Sequence, residues 1–337
     1  MILSKRKFFL LVFYLFLAPT LLFGQDAHFS QFFANPLYMN PAFAGTRNCP
    51  RFSINFRDQW PAIPKSYITF SGSYDQHVNI LHGGVGLLVS ADIAGGGIQQ
   101  TYNAGLIYNF RLLVTHKFNL QFALQANYFS SVFNWRNLTF ASDMILDIPE
   151  DLPTDYLYSV KSQFDANFGL LGYTPYLYFG FALHHLLPVE LSFFTNPSYK
   201  IGMKWTGHLG GKITIKQKMR DSESFGDVYL YPNMIFISQG KYNYLHEGFY
   251  FNFYPLTIGA WLRHNFKNLD ALIFACGIEY KLLRIGYSYD FNLNKLDRTG
   301  GSHEVSLQFI IPCKNEQVHN SPQRRSNRIS PVACPNF

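Results

Sequence analysis

The chain has 337 residues, of which 48% are hydrophobic, 18% aromatic and only 15% charged, with a formal net charge of +7. An average soluble domain is about 25% charged, so this chain has ample apolar surface to bury, and disorder is excluded. A bundle of transmembrane helices is also excluded, because only the N-terminal stretch is apolar over the roughly 20 residues that a helical span needs. A large β protein remains, either soluble or in the outer membrane.

The N-terminus has the parts of a secretory signal peptide. Three cations at 5–7 precede an apolar run at 8–17, and the stretch ends on a small residue, Gly24. We therefore predict that residues 1–24 are a signal peptide and that the mature chain is exported. A retained membrane anchor is the alternative, which Pro19 disfavours. No cysteine follows the run closely, so a lipid anchor is not expected.

Residues 25–48 precede the first predicted strand and contain two Asn-Pro steps, Asn35-Pro36 and Asn40-Pro41. The residue before a proline is pushed toward extended or turn geometry. We therefore expect an irregular segment rather than a helix, held in or beneath the mouth of the domain that follows.

From 49 to 311 the sequence alternates between apolar and polar residues with a period of two. In one segment Phe122 and Leu124 share one parity, whereas Gln121 and Gln125 share the other. Such alternation places the two sets on opposite faces of a strand. A soluble sandwich would bury the apolar face, whereas a transmembrane barrel turns it toward lipid and the polar face toward the lumen.

Three features favour the barrel. The segments are about 10 residues long, as tilted strands that cross a bilayer require. Their number is about fourteen, and bacterial barrels have an even number. Their connections alternate in length: 130–162, 185–198 and 292–302 are long, whereas 173–174 and 253–255 are tight. The segments start near Arg51, Tyr67, Gly84, Gln100, Lys117, Gln163, Pro175, Tyr199, Asp227, Tyr242, Leu256, Asp270, Leu282 and His303.

Outer-membrane barrels have long connections outside and short ones in the periplasm, which predicts periplasmic N- and C-termini. The connections 216–226 and 239–241 do not fit this alternation. A membrane span without helices must close its sheet, because every backbone N–H and C=O needs a partner in lipid. We predict an all-β protein, a closed antiparallel transmembrane barrel of outer-membrane type.

The predicted organisation has four parts. A signal peptide (1–24) is followed by a periplasmic or plug segment (25–48), the barrel (49–311) and a basic, cysteine-containing tail (312–337). Fourteen strands enclose more space than eight, which pack shut. The inward polar residues either line a narrow wet lumen or surround the segment before the first strand.

Arg57 and Asp75 have inward parity on the first two strands, and Glu304 has it on the last. The first and last strands of a closed barrel are neighbours, so Arg57 and Glu304 could pair across the closure. Such a network either only stiffens the wall or contributes to a binding site, and we favour the first reading.

The four cysteines leave the disulfide pattern open. Cys49 precedes the first strand and Cys313 follows the last, so a disulfide between them could lock the closure of the barrel. A small loop between Cys313 and Cys334 is an equal alternative. Cys276 has apolar parity and is expected to be unpaired.

Other signals do not indicate an enzyme, a metal or a cofactor. His184-His185 and His246-Glu247 lack the helical spacing of a zinc motif, and we expect polar rim or loop residues there. The glycine runs precede no helix and carry no phosphate-binding lysine. No catalytic triad can be assembled, and the basic charge lies in the leader and tail rather than on a nucleic-acid-binding face.

The most specific block of the sequence is residues 25–46, QDAHFSQFFANPLYMNPAFAGT. This block and several others closely resemble the PorP/SprF family of the Bacteroidetes type IX secretion and gliding systems. The resemblance covers roughly 25–311, with two departures: Phe33 replaces the family's usual tyrosine, and the tail from Pro312 lies outside the pattern. Further blocks are NFRDQWP (55–61), SYDQH (73–77), GVGLLV (84–89), IGYSYD (285–290) and GSHEVSL (301–307). From these blocks we single out His28, Gln31, Asn35, Pro36, Asn40, Pro41, Gly45, Arg57, Gln59, Trp60, Pro61, Tyr74, Asp75, Ser302, His303 and Glu304.

The resemblance implies a non-enzymatic outer-membrane barrel, embedded in lipid, that partners other secretion components. It further implies docking of secreted cargo or a gliding adhesin. The long connection 130–162, with Trp135 and several acids, could attract a basic partner at the cell surface, although a solvated loop without a partner is the plain alternative. Rival functions are a passive or hydrophobic-substrate transporter and a soluble secreted sandwich.

Overall fold

The computed structural model describes residues 26–47, 49–64, 66–135, 158–190, 200–216, 228–293 and 299–311. Regular structure in these ranges is almost entirely β. A four-residue helix, α1 (Pro36–Met39), and two 3-10 turns, Pro41–Phe43 and Asn79–Leu81, are the exceptions. None of the helices in the described ranges is long and apolar enough to cross a bilayer. The strands are β1 (Arg51–Gln59), β2 (Tyr67–Val78), β3 (Gly83–Ala94), β4 (Gln99–Leu113), β5 (Asn119–Asn134), β6 (Tyr158–Tyr173), β7 (Leu177–His184), β8 (Val189–Glu190), β9 (Lys200–Ile201), β10 (Lys204–Gly211), β11 (Ile213–Lys216), β12 (Val228–Gln239), β13 (Tyr242–Phe253), β14 (Leu256–His264), β15 (Leu269–Tyr280), β16 (Leu283–Asn292) and β17 (Ser302–Ile310).

The main sheet is one antiparallel meander that closes on itself. β1 to β7 pair in chain order, β7 pairs with β10, β10 with β12, and the order continues to β17, which pairs with β1. β10 and β11 both pair with β12 and form one wall strand, so the barrel has fourteen. The predicted closed antiparallel barrel of about fourteen strands is confirmed.

Two predicted strand starts are displaced. The sixth wall strand begins at Tyr158 rather than near Gln163, because its ladder with β5 continues for five further residues toward the long connection. The eighth begins at Lys204 rather than near Tyr199. The residues before it form the small β8–β9 hairpin, in which Ile201 is buried against Phe129 and Val189 instead of facing outward.

The two faces of the wall differ as the alternation predicts. On β5, Leu124 is 63% exposed on the outside, whereas Gln121 and Gln125 are buried inside. The same division holds on β6 and β16, where Phe164 and Ile285 face outward and Asp165 faces the lumen. Apolar side chains thus face lipid and polar ones the lumen, which is the arrangement of an outer-membrane barrel and the reverse of a sandwich.

The two ends of the barrel carry different connections. β1 begins and β17 ends at one rim, here called the terminal rim, where 254–255 and 281–282 are two-residue turns. The opposite rim, here called the long-loop rim, carries the connections 135–157 and 185–203. The exceptions noted in the sequence persist, since 217–227 lies at the terminal rim and the short 240–241 at the other.

A cation on the outer wall should destabilise the barrel in lipid. We expect Leu124→Arg to lower the free energy of unfolding by about 2–4 kcal/mol, the cost of a cation near the middle of the bilayer. Urea unfolding of the protein refolded into phospholipid vesicles measures this difference. Leu124→Met, which keeps an apolar side chain, is the control. An unchanged stability of the arginine variant would contradict the lipid-facing assignment.

Candidate functional site

The N-terminal segment 26–47, here called the plug, lies inside the barrel. Its central residues are almost completely buried, with Ala34, Leu37 and Ala42 at 0% exposure. They form one apolar cluster with inward side chains of the wall. The cluster centres on aromatic rings: Phe32 packs against Trp261 with ring centroids 5.2 Å apart, and Phe33 lies 6.0 Å from both Tyr178 and Tyr250.

The two Asn-Pro steps start short helical turns rather than extended chain. Asn35 and Asn40 are themselves non-helical, as residues before proline must be. Each following proline occupies the first turn position, where its missing N–H costs nothing. The expectation of an irregular segment therefore needs one correction, the four-residue helix Pro36–Met39.

Arg57 is the centre of a buried charge cluster at the closure of the barrel. Its guanidinium lies 2.9 Å from Asp290 Oδ2 and 3.2 Å from Glu304 Oε2, and all three side chains are at most 1% exposed. Arg57 and Glu304 are direct cross-strand neighbours on β1 and β17. The predicted pairing of these two residues across the closure is confirmed.

The plug supplies further hydrogen bonds to this cluster. The backbone N–H groups of Ser30 and Gln31 donate to the Glu304 carboxylate at 2.7 and 3.1 Å. Ser30 Oγ accepts from Arg57 at 2.8 Å and donates to Asp290 at 2.7 Å. Buried charges are tolerated only when paired and hydrogen-bonded, so the plug completes an arrangement that the wall leaves unfinished.

His28 extends the cluster to a second arginine. Arg263 Nη1 lies 3.0 Å from Asp290 Oδ2 and 3.1 Å from His28 Nε2, and Arg263 also contacts Asp270. Burial, followed by the charges of Arg263 and Arg57, holds the pKa of His28 well below its ordinary value. The imidazole is therefore neutral and accepts the arginine hydrogen bond.

Further along, two amide side chains of the plug, Gln31 and Asn40, hold it to the wall. Gln31 Nε2 donates to the Glu304 carbonyl at 2.8 Å, and Ser306 Oγ donates to Gln31 Oε1 at 2.6 Å. Asn40 Nδ2 donates to the carbonyl of Leu170 at 3.0 Å, while its Oδ1 accepts from the N–H of Ala42. The two plug amides thus bind carbonyl groups of β17 and β6, and Asn40 also caps the turn Pro41–Phe43.

The plug leaves the barrel at the terminal rim through Gly45. This residue has a φ of +65°, and a Cβ on it would lie 2.5 Å from the Cα of Gly84, so only glycine fits. Its N–H donates to Asp75 at 2.9 Å, and Asp75 also holds Arg51 at 2.8 Å. The structure thus brings Gly45 and Asp75 together.

At the other end of the plug, Asp26 is clamped by two cations. Its carboxylate lies 2.7 Å from Lys204 Nζ and 3.0 Å from His185 Nε2, and His185 Nδ1 lies 2.8 Å from Asp165. Burial opposes the charge of Asp26, but His185 and Lys204 outweigh it and hold its pKa well below the usual range. Burial would neutralise His185, yet Asp26 and Asp165 raise its pKa to about 9.

Beyond Asp26 the lumen widens into a cavity of about 460 Å³, here called the vestibule. It is lined by the plug, by Trp60 in the β1–β2 connection, by inward residues at the long-loop ends of β2, β3 and β4, and by His185. The vestibule therefore lies at the long-loop rim, and the plug forms its floor.

Some predicted motif residues lie apart from the plug. Tyr74 and His303 lie on the outer face, where the Tyr74 hydroxyl donates to Gln76 and His303 Nδ1 lies 2.8 Å from the Tyr287 hydroxyl. The long-loop rim holds Gln59, Trp60, Pro61 and Ser302, and there the Trp60 N–H donates to the carbonyl of Gly301 at 2.8 Å.

Two further motif residues, Asn35 and Pro36, are buried within the plug.

The expectation of rim or loop positions for the histidine pairs is wrong for His246. This side chain points into the lumen from the middle of β13 and packs edge-on against Phe32 at 4.9 Å. His184 is also buried and lies 3.3 Å from the Met39 carbonyl. No local pattern of the sequence indicates these contacts, because the partner of each histidine belongs to the plug rather than to a neighbouring strand.

Sequence reasoning missed Asp290, Arg263 and Ser30 as members of the charge cluster. The inward parity of Asp290 on β16 indicated a side chain in the lumen, and Ser30 belongs to the N-terminal block, so the sequence contained a partial indication of both. Arg263 lies in no block, and its inward parity on β14 was the available hint.

Two of the four cysteines, Cys49 and Cys276, lie in the described part of the chain. Cys276 is a free, exposed cysteine, as its apolar parity predicts. Cys49 is disulfide-bonded. Cys313 and Cys334 lie outside the described residues, so which of them is paired, and with what, stays a prediction.

A closed fourteen-strand wall with an apolar exterior and a polar interior is that of an outer-membrane β-barrel protein. The family model described as type IX secretion system membrane protein PorP/SprF matches residues 21–309, and the chain belongs to this family. None of the curated proteins matches it in sequence.

Solved structures of low sequence identity are similar. Acinetobacter baumannii outer membrane protein Omp33 has 6% identity and a TM-score of 0.43, covering 79% of this chain and 100% of its own. The Ralstonia pickettii toluene transporter TbuX has 12% identity and a TM-score of 0.41, covering 86% and 95%. The CymD monoaromatic hydrocarbon channel has 10% identity and a TM-score of 0.43, covering 86% and 96%. The function of this chain follows from none of these similarities.

Removing Glu304 should be far more costly than removing an exposed acid. We expect Glu304→Ala to cost about 3–5 kcal/mol, because it leaves Arg57 buried with one partner fewer and frees two plug N–H groups. Urea unfolding in vesicles measures the loss. The control is Glu190→Ala. The Glu190 side chain is 38% exposed and pairs with Lys161 at 2.7 Å, so its removal should change the stability little. Equal effects would contradict the cluster's role.

Docking of the plug should depend on pH. The pKa of His28 is lowered on docking. The contribution of His28 to the free energy of docking is therefore complete above its ordinary pKa of 6.5 and is lost as the pH falls below that value. The pKa of His185 is raised to about 9. Its contribution to the free energy of docking is therefore complete below 6.5 and is lost progressively as the pH rises from 6.5 through 9. We therefore expect plug amides to be best protected from hydrogen exchange near pH 6.5, and less protected as the pH moves away from it in either direction.

Hydrogen exchange of residues 26–35, corrected for the intrinsic pH dependence, measures this docking. His28→Gln should remove the loss of protection at acidic pH, since the amide stays neutral. The control His303→Gln alters a histidine on the outer face and should leave the acidic limb unchanged. Retention of that limb in His28→Gln would contradict the assignment.

Proposed function

We propose that this protein docks a secreted cargo or a surface adhesin for the type IX secretion system, by protein–protein contact and without catalysis. Membership of the family supports a role in this secretion system. The single observation that carries the docking proposal is the occupied lumen: residues 26–47 fill the middle of the barrel and are bonded to opposite sides of its wall.

An occupied lumen favours docking over conduction. A solute crossing the barrel would have to displace the buried contacts of Glu304, Asn40 and Gly45 with their partners. Docking needs only the vestibule and the rim around it, both of which the plug leaves accessible. A passive or hydrophobic-substrate transporter is therefore the rival function, and it requires the plug to move.

The long-loop rim is the docking side in this proposal. We place both termini in the periplasm, with residues 1–24 removed as a signal peptide, so that this rim faces the cell surface. The connection 135–157 joins β5 and β6 there, and beyond Trp135 it lies outside the described residues. Its sequence is acidic and would steer a basic partner toward the rim. Its acids are Asp143, Asp147, Glu150, Asp151 and Asp155.

Affinity purification from native outer membranes tests the proposal. We expect the full-length protein, tagged at its C-terminus, to recover a secreted protein or another secretion component. Neutralising the five acids of 136–157 with Asn and Gln should reduce this recovery. The matched control neutralises Asp221, Glu223 and Asp227 in the connection at the terminal rim, and recovery should then be unchanged.

Conductance measurements separate docking from the rival function. Purified protein in planar bilayers should show little ion conductance, because the plug fills the lumen. Solute uptake or steady conductance without any recovered protein partner would support transport and overturn the docking proposal.

A further inference from the structure

The vestibule contains one acid, Asp92, that has no cationic partner among the described residues. Lys204 and His185 are both engaged by Asp26, and His185 is also engaged by Asp165. Asp92 also lines the vestibule. In the described part of the chain no Lys, Arg or His lies within ion-pair distance of Asp92. Lys204 and His185 are thus already paired with Asp26 and Asp165, and the carboxylate of Asp92 is left without a cation.

The carboxylate of Asp92 is held in place but is not satisfied. It points inward from β3, directly opposite Thr69 on β2 and Thr101 on β4. Thr69 Oγ1 donates to Asp92 Oδ1 at 2.6 Å. The described residues give Asp92 Oδ2 no hydrogen-bond donor, so this oxygen is available to a ligand that donates.

The surroundings of Asp92 supply acceptors and aromatic faces. Asn103 Oδ1 is buried and has no hydrogen-bond partner in the described residues. Trp60 and Tyr67 pack edge-to-face 5.7 Å apart and line the same cavity. A carboxylate, neutral oxygens and aromatic rings together bind ammonium and guanidinium groups, through charge-assisted hydrogen bonds and cation–π contacts.

We propose that the vestibule binds a cationic side chain, lysine or arginine, of the docked polypeptide, with Asp92 as its counter-ion. This inference rests on the proposed function and names the chemistry of the partner at the docking site. The cavity of about 460 Å³ is large enough for such side chains but is closed below by the plug. The cation therefore enters from the long-loop rim and stops at the level of Asp26.

Peptide binding to the full-length protein in detergent tests this assignment. The probe is a short, end-capped, fluorescein-labelled peptide of glycine, serine and lysine, and its reference is the same peptide with acetylated lysines. Fluorescence anisotropy should show binding of the lysine peptide alone. Asp92→Asn should weaken this binding about 10-fold or more, as loss of one partner of an enclosed charge pair does.

Three controls keep the result interpretable. Asp92→Glu retains the charge and should retain binding. Asp58→Asn makes the same charge change near the same rim but with outward parity, and should also retain binding. Heat-modifiable gel mobility verifies that each variant is a folded barrel. If Asp92→Asn fails to fold, Asp92→Glu becomes the test, because a tenfold loss of binding with the charge retained would contradict the counter-ion role. We also expect free spermidine to displace the peptide, because the site binds the cationic group itself.

Equal binding of the acetylated peptide, or unchanged binding to folded Asp92→Asn, would overturn the assignment. The proposed function fails separately. If Asp92→Asn binds the peptide as the unmodified protein does and still recovers the native partner, docking stands and the vestibule assignment falls. If no partner is recovered by either protein, docking itself falls.

Discussion

The pairing of Arg57 with Asp290 and Glu304 is the interaction on which the rest of the structure depends. These three groups are almost wholly removed from water, so each would be strongly destabilising alone. The wall brings them together at the closure between its first and last strands, and further hydrogen bonds come from Arg263 on β14 and from Ser30 and Gln31 in the plug. The position of the plug is therefore fixed by charge, and the packing of its aromatic rings follows from that position.

A barrel of fourteen strands is too wide for its own side chains to fill. The plug resolves this geometric problem because Phe32, Phe33 and Phe43 fill the middle of an apolar core to which inward wall side chains also contribute. The protein consequently has two apolar surfaces of different kinds, an inner one that excludes water around the plug and an outer one exposed to lipid. The polar face of the wall is then used for hydrogen bonds with plug backbone rather than for a continuous water channel.

The wall was predictable from the sequence and the plug contacts were not. A period of two fixes which side chains share a face, so the strand number, the inward parity of Arg57 and its pairing with Glu304 all followed from the pattern. An irregular segment has no period, and nothing local in the sequence indicates that His28 meets Arg263 or that Phe32 meets His246. The resemblance to a family identified the segment as important, but only the three-dimensional arrangement shows which inward residues it contacts.

The closure between β1 and β17 has a consequence for biogenesis. Ser30 is bonded to Glu304 across 274 positions of the chain, and its other wall partners include Asp290. The N-terminal segment thus meets its binding site only after the last strand has been made and inserted. A polypeptide that is truncated, or whose final hairpin is still unassembled, leaves the N-terminal segment without its partners Asp290 and Glu304. Burial of the N-terminal segment therefore marks the completion of the whole cylinder.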